Sequence, residues 1–462
     1  MHFDVIILGS GPGGYVASIR AAQLGMKTAI IEKDSLGGVC LNIGCIPTKS
    51  ILNSAKILQS IKKNKELFNI ENIKINYTKI FSKSKNAVNH IKKNLLFLMK
   101  KNNIHIIYGY AKLKKNKKIE VFKDKKSIGE YTASHIIIAT GSIPRIEKKF
   151  YDRKKIITYK EAFSLSSCPN RMIIIGSGSI GLEFAYFYQS IGTKVTIIEI
   201  SKNIFPSGDN DISNYLKYSF ERMGIKIYNC SIIKEINIDN EKVFVSIIIN
   251  SSIKQIVLET DIVFYAMGVI PNTRFLGLEE VGIQIEKEFI VIDKNYRTNI
   301  DGYYAIGDVI KTTSLAHVAS HEAINCVENI KGLDCQEIDY NNVPKCVYSY
   351  PEIASIGYTE EEAKKKGFKI KIAKFPFKAL GRAISDEETN GFIKVIFDAK
   401  YDEWLGCHMI GNNVTDLISE VAVARKLETT SYEMLGVIHP HPSLSESILE
   451  SIAHAYGKAI HF

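Results

Sequence analysis

A short apolar stretch, Phe3 to Leu8, stops at Gly9-Ser10-Gly11-Pro12-Gly13-Gly14. Runs of this length bounded by glycine predict a strand buried on both faces. Small and apolar residues from Val16 to Leu24 then predict a helix, and a second strand, Lys27 to Ile31, closes on Glu32. The same order returns further along. Strand Arg171 to Ile175 meets Gly176-Ser177-Gly178-Ser179-Ile180-Gly181, followed by helix Leu182 to Ile191, strand Lys194 to Ile198 and Glu199. In both copies the acid stands 18 residues past the last glycine. One such glycine motif is weak; two in matching context predict two Rossmann-like dinucleotide-binding domains.

Between the copies, Val88, Ile91, Leu95 and Leu98 recur at helical spacing among lysines and asparagines, predicting an amphipathic helix over 86–101. Strand-like runs follow at Ile104 to Tyr108 and at His135 to Ala139, the latter ending in Thr140-Gly141. Another, Val263 to Gly268, precedes Ile270-Pro271-Asn272, and Tyr303 to Ile306 leads into Gly307-Asp308. The last 120 or so residues lose the βαβ rhythm. Strands at Cys346 to Ser349, Phe392 to Phe397 and Leu405 to Ile410, with helices near 413–426 and 443–456, predict a separate α+β domain.

The glycine motifs carry a definite chemistry. Gly9 and Gly176 let the strand turn sharply, Gly11 and Gly178 let the backbone approach a pyrophosphate, and Gly14 and Gly181 let helix and strand pack closely. The phosphates would meet the positive end of each helix. Glu32 and Glu199 would accept hydrogen bonds from ribose hydroxyls. A carboxylate at Glu199, with only Lys202 nearby, favours NAD over NADP. The bland reading of either motif is a tight turn without a ligand.

Composition changes this picture little. At 462 residues the chain needs more than one core, and 45% hydrophobic with 24% charged residues is ordinary globular usage. No apolar run is long enough to span a membrane, and the N-terminus shows no secretory pattern, so a cytoplasmic location is the simplest expectation. The net charge of +11 is concentrated in stretches such as Lys112 to Lys126. No zinc-finger spacing or RNP-like aromatic motif accompanies it, so a solvated lysine surface is expected, with no nucleic acid and no metal.

Six of eight cysteines (Cys168, Cys230, Cys326, Cys335, Cys346, Cys407) have no paired spacing and read as packed free thiols. Cys40 and Cys45 differ. They lie five apart within Gly37-Gly38-Val39-Cys40-Leu41-Asn42-Ile43-Gly44-Cys45-Ile46-Pro47-Thr48-Lys49, just before a helix predicted over Ser50 to Ser60. They can reach disulfide distance if the segment bends, and a thiolate near a helix N-terminus is stabilised there, with Lys49 adding positive charge. Spacing alone leaves open two small buried residues that happen to be cysteines.

The run Gly37 to Lys49 resembles the active-site signature of the pyridine nucleotide-disulfide oxidoreductases. Both nucleotide motifs, Ala139-Thr140-Gly141, Tyr304-Ala305-Ile306-Gly307-Asp308 and the tail His439-Pro440-His441-Pro442-Ser443-Leu444-Ser445-Glu446 follow in that family's order over the whole chain. The resemblance implies a redox-active Cys40–Cys45 disulfide, FAD at the first site with Asp308 on its ribityl–phosphate region, and NAD at the second. It implies a Lys49 and Glu183 pair beside the isoalloxazine, and Gly268 among the cofactor-binding residues. It also implies a homodimer in which His441 and Glu446 form an acid–base dyad for the partner's disulfide. On residues alone, Glu446 could instead cap the following helix, and His439 could be a packed histidine.

The implied layout is an FAD-binding domain over 1–143, an NAD-binding domain over 144–270, a central domain over 271–341 and an interface domain over 342–462. The tail resembles the dihydrolipoamide dehydrogenase branch more than the glutathione reductases, and no cysteine follows Cys407 as mercuric reductases would require. That branch implies a lipoyl-bearing partner, an acyltransferase of a 2-oxo acid dehydrogenase complex or the glycine cleavage carrier protein. The alternatives are an NADP-dependent disulfide reductase of the glutathione type, a nucleotide transhydrogenase, or a non-catalytic scaffold. Two departures stand out: Pro440 where the family more often has alanine, and Ser314 in place of a usual methionine.

Overall fold

A computed structural model describes residues 1–250 and 255–462. The chain divides into two compact units: Met1–Ile51 with Thr78–Arg145 and Gly268–Ile338, and Leu52–Tyr77 with Ile146–Met267 and Asp339–Phe462.

The first unit is built on β1 (His2–Leu8), α1 (Pro12–Gln23), β2 (Thr28–Glu32), α2 (Gly38–Ile43), α3 (Cys45–Lys63, which runs on into the second unit), α4 (Tyr77–Lys101), β3 (His105–Tyr108), β4 (Tyr110–Lys114), β5 (Lys118–Lys123) and β6 (Lys126–Ile138). Its sheet runs β3-β2-β1-β6-β5-β4, with strand Tyr303–Ala305 also parallel to the end of β6. Val5, Ile6, Ile7, Ile30, Ile136 and Ile137 are fully buried, which is why this apolar stretch reads without alternation. Leu8 lies opposite both Ile31 and Ile138, so Gly9 and Ala139 leave the sheet side by side. That is the position, outside the carboxyl ends of parallel strands, where doubly wound sheets bind ligands.

The lysine-rich stretch is an antiparallel arm. Ala111, Leu113, Ile119 and Val121 are buried while Lys115, Lys118, Lys123, Lys125 and Lys126 are exposed, so the charge lies on a solvated face. Two helices begin earlier than the pattern predicts. α4 starts at Tyr77 instead of residue 86, and α3 starts at Cys45 instead of Ser50. Pro47 falls in the first turn of α3, where a missing N–H costs nothing, so the proline does not delay the helix.

The second unit holds the repeat: β7 (Arg171–Ile175), α5 (Ser179–Ser190), β8 (Lys194–Ile198) and α6 (Asn210–Arg222). Its parallel sheet runs Lys226–Tyr228, β8, β7, Ile262–Tyr265, Ile156–Ile157. Further on, β9 (Lys345–Val347), β10 (Glu352–Gly357), β11 (Ile370–Pro376), β12 (Phe392–Asp398) and β13 (Trp404–Gly411) form an antiparallel sheet ordered β9-β10-β13-β12-β11, with α7 (Val414–Lys426) and α8 (Glu446–Ala455). One face packs Phe375, Ile393, Val395 and Met409 against Ile418, Val421, Ile448 and Ile452.

The opposite face carries a polar row. Lys345 pairs with Ser355, Ser355 with His408, His408 with Lys394, and Lys394 with Lys374 across the five strands. The Lys394 side chain is only 2% exposed, and its ammonium meets Asp209 (2.9 Å), Asp211 (2.8 Å) and Glu360 (2.7 Å). His408 donates its Nε2 proton to the Tyr358 carbonyl at 2.9 Å, and burial holds its pKa low, so it stays neutral. Among the described residues no helix is long and apolar enough to cross a membrane, and no His, Cys, Asp and Glu cluster could hold a metal ion.

Candidate active site

Cys40 and Cys45 form a disulfide, with Cα atoms 4.7 Å apart. Cys40 lies in the short α2, and Cys45 is the first residue of α3. Gly44 between them breaks the two helices; a Cβ there would sit 3.0 Å from the Val39 carbonyl oxygen. Cys45 therefore stands at the positive end of a 19-residue helix, the place where a released thiolate is stabilised. Lys49 lies one turn further on. The other six cysteines stand outside any disulfide, with Cys326 and Cys407 buried.

The first glycine loop lies in the same unit. Gly9 has φ 95°, and a Cβ there would sit 2.5 Å from the Ala139 carbonyl oxygen. A Cβ at Gly14 would overlap the Gly9 carbonyl oxygen, whereas one at Gly11 would meet nothing within 4 Å. The loop is closed toward the sheet and open above Gly11. Glu32 is buried and fixed by Ser10, which donates its amide (3.0 Å) and its hydroxyl (2.6 Å) to Oε2, while the Asp34 amide donates to Oε1 at 2.8 Å.

The second loop repeats this. Gly176 has φ 98°, a Cβ at Gly181 would overlap the Gly176 carbonyl oxygen, and Gly178 faces open space. Ser177 donates its amide (2.8 Å) and hydroxyl (2.6 Å) to Glu199 Oε2, and the Ser201 amide donates to Oε1 at 2.8 Å. Burial pushes the Glu199 pKa up, but the Ser177 and Ser201 hydrogen bonds outweigh it and hold the group below the ordinary range. A carboxylate has about four acceptor positions. Three backbone and serine donors meet each carboxylate at fixed distances, and at Glu199 the Ser201 hydroxyl adds a fourth. Ser10 and Ser177 were not singled out from the sequence; the only signal was that Gly-Ser-Gly occurs in both copies.

Thr140 and Gly141 follow β6. The Thr140 hydroxyl donates to the Asn272 carbonyl at 2.8 Å, and the Asn272 amide donates to the Gly141 carbonyl at 2.8 Å. Strands Ser142–Pro144 and Val269–Pro271 pair antiparallel beside them, just after Gly268. Asp308 accepts from the Ser142 hydroxyl at 2.6 Å, and burial raises its pKa more than that bond lowers it. Gly141, with φ 68°, and Gly268, with φ 87°, again have open space where a Cβ would stand. Ser142 and Asn272 are further additions from the structure.

In the second unit, Glu183 on α5 is buried and its Oε1 accepts from the Tyr348 amide at 3.1 Å. His441 Nδ1 lies 2.8 Å from Glu446 Oε1, and the Ser443 amide donates to Glu446 Oε2 at 2.8 Å. Glu446 is the first residue of α8, whose N-cap Ser445 has no side-chain cap bond, so it does not cap that helix; one of its oxygens ties the loop before it and the other orients the imidazole. Burial raises the Glu446 pKa, yet the Ser443 amide and the His441 ring outweigh it and keep it below normal. With Nδ1–H held by the carboxylate, Nε2 bears the lone pair, on a side chain 78% exposed. His439, by contrast, is packed, its side chain 5% exposed and bound to Glu420 at 2.7 Å.

Residues 3–323 match the family model described as pyridine nucleotide-disulphide oxidoreductase, and residues 343–452 match that family's dimerisation domain. The chain belongs to the pyridine nucleotide-disulphide oxidoreductases. Among relatives of this oxidoreductase, the dihydrolipoyl dehydrogenase of Zymomonas mobilis is 41% identical, covering 100% of this chain and 99% of that one. The dihydrolipoyl dehydrogenase of Bacillus subtilis is 39% identical over the same shares. Among solved structures, LpdA from Mycobacterium tuberculosis superposes with a TM-score of 0.90 at 25% identity, covering 97% and 99%. The flavoprotein disulfide reductase RclA from Escherichia coli reaches 0.87 at 25% identity, covering 97% and 99%. The oxidoreductase is thus a mixed α/β flavoenzyme of FAD and NAD(H) with a C-terminal dimerisation domain. Its loops suit that chemistry: each leaves one glycine open to a ligand and holds a buried carboxylate fixed by serine at the end of the second strand.

Proposed function

We propose that this oxidoreductase oxidises protein-bound dihydrolipoyl groups to lipoyl groups and reduces NAD to NADH. The observation that carries the reading is the Cys40–Cys45 disulfide ending on the first residue of α3, in one compact unit with the first dinucleotide loop. The relatives from Zymomonas mobilis, Rhizobium etli and Bacillus subtilis, each named dihydrolipoyl dehydrogenase, do not favour the NADP-dependent glutathione-type alternative.

In the proposed sequence the protein works as a homodimer. His441 Nε2 of one protomer takes the proton from a dihydrolipoyl thiol, while Glu446 fixes the tautomer and stabilises the imidazolium. The thiolate attacks the Cys40 sulfur, the Cys40–Cys45 bond breaks, and Cys45 leaves as a thiolate held by the N-terminus of α3. The second dihydrolipoyl thiol then passes its proton to the Cys40 sulfur as it displaces it, releasing the cyclic disulfide and leaving the electron pair on the two cysteines, Cys40 as thiol and Cys45 as thiolate. Bound FAD would supply the two-electron acceptor that links this dithiol to NAD. Thr140, Gly141, Gly268 and Asp308, with Gly9, Gly11, Gly14 and Glu32, are the proposed FAD contacts; Gly176, Gly178, Gly181 and Glu199 are those for NAD. The roles of Lys49 and Glu183 beside the flavin rest on the family resemblance. A lipoyl-bearing acyltransferase or glycine cleavage carrier is the proposed partner, and the cytoplasm the proposed location. Purified enzyme assayed with NAD and dihydrolipoamide should turn over faster than with NADPH and glutathione disulfide; the reverse order would overturn the reading.

A further inference from the structure

His441 is not held by Glu446 alone. Two residues upstream, His439 Nε2 lies 2.7 Å from Glu420 Oε1 on α7, with the imidazole nearly buried. Prolines stand at 440 and 442, on either side of His441. Each fixes its own φ near −65° and restricts the residue before it. Few soft torsions therefore separate the His439 anchor from the His441 ring. Downstream the segment is tied again, through the Ser443 amide on Glu446. A chain pinned at both ends and stiffened between them presents its side chain in a narrow range of directions. A free surface loop would not do so.

We infer that His439, through its hydrogen bond to Glu420 and the rigid Pro440 linkage, is a positioning residue that aims His441 at the dithiol substrate. The inference rests on the functional reading above. Its physical basis is that proton transfer demands hydrogen-bond reach, so a displacement of about 1 Å costs about 100-fold. His439 touches no substrate in this scheme; it acts only by placing the neighbouring ring. The nucleotide loops are separate from it in sequence and carry their own fixed networks.

The test follows the two half-reactions of the purified holoenzyme by rapid mixing: flavin bleaching by dihydrolipoamide, which needs His441, and by NADH, which enters at the other cofactor. His439→Ala is expected to slow the first about 10-fold to 100-fold. The second should stay within about twofold. His439→Gln, whose amide nitrogen can still donate to Glu420, should restore most of the rate. A crystal structure of His439→Ala should show His441 turned from its Glu446 contact. Wild-type rates in His439→Ala, or equal loss in both half-reactions, would overturn this proposal alone. Failure of dihydrolipoamide to bleach the wild-type enzyme, or no effect of His441→Gln, would overturn the functional reading and this proposal with it.

Discussion

The two glycine loops share almost every bond and differ in what comes back over them. In each, a serine hydroxyl donates to the buried glutamate at 2.6 Å and accepts an amide from the returning chain. In the first loop that amide belongs to Gly37, at 3.0 Å, which opens directly into the helix bearing Cys40. In the second it belongs to Phe205, at 3.2 Å, which leads instead to Asp209 and the acidic start of α6. One scaffold therefore serves two ends. The clamp is common, and the redox chemistry is grafted onto the segment that it pins. Function here lives in the returning chain, not in the fold that it crosses.

The comparison breaks most completely at the disulfide. Cys40→Ser or Cys45→Ser should abolish dithiol-to-NAD turnover while the protein keeps its yellow FAD spectrum, because the first loop is intact. His441→Gln comes next, removing a proton acceptor that neither loop supplies. The dithiol half-reaction should fall about 10²- to 10⁴-fold, measured against an unchanged NADH half-reaction.

The third test concerns the second returning chain. Asp209 caps α6 and is buried against Lys394, so Lys394→Met strands buried carboxylate. Denaturant titration should show a loss of about 3–5 kcal/mol. The gap should depend on pH. Burial raises the Asp211 pKa but Lys394 outweighs it, and Lys364 with Lys394 lowers that of Glu360. Stability from depressed carboxylates is present above their unfolded pKa and is lost as pH falls through the folded one. Wild type and Lys394→Met should therefore converge at acid pH. A constant gap would count against the ion cluster.

The smallest effects separate the loops most cleanly. Ser10→Ala and Ser177→Ala each leave a buried glutamate short of a donor, at about 1–3 kcal/mol. The first should weaken FAD retention, seen as fluorescence of released flavin. The second should raise KM for NAD with FAD retained. If both variants lost the same nucleotide, the assignment of the two loops would be wrong.

Legibility in the sequence followed local physics. Strands β1, β7 and β8 were readable because each ends in a buried apolar run just before its glycine or acid, and the turns because only glycine takes φ near 95° beside another carbonyl. His441 and Glu446 were readable as a spaced motif. Lys394 was not, because a lysine in a strand reads as solvent-facing and its three carboxylates lie on distant segments. The antiparallel arm was likewise obscured, since lysines outnumber the alternating apolar residues that hold it down.

The polar row across the C-terminal sheet has a consequence for how that sheet assembles. Sliding β12 by one residue would turn Lys394 into the layer of Phe375, Met409 and Ile418, and would swing Ile393 or Val395 onto Asp209. The first exchange strands a lysine in a greasy layer and the second leaves the buried Asp209 without its ammonium, so the misaligned pairing is heavily disfavoured. A lysine, a histidine and a serine in a line thus act as a key for strand alignment, admitting one threading of the domain that pairs two copies of the enzyme.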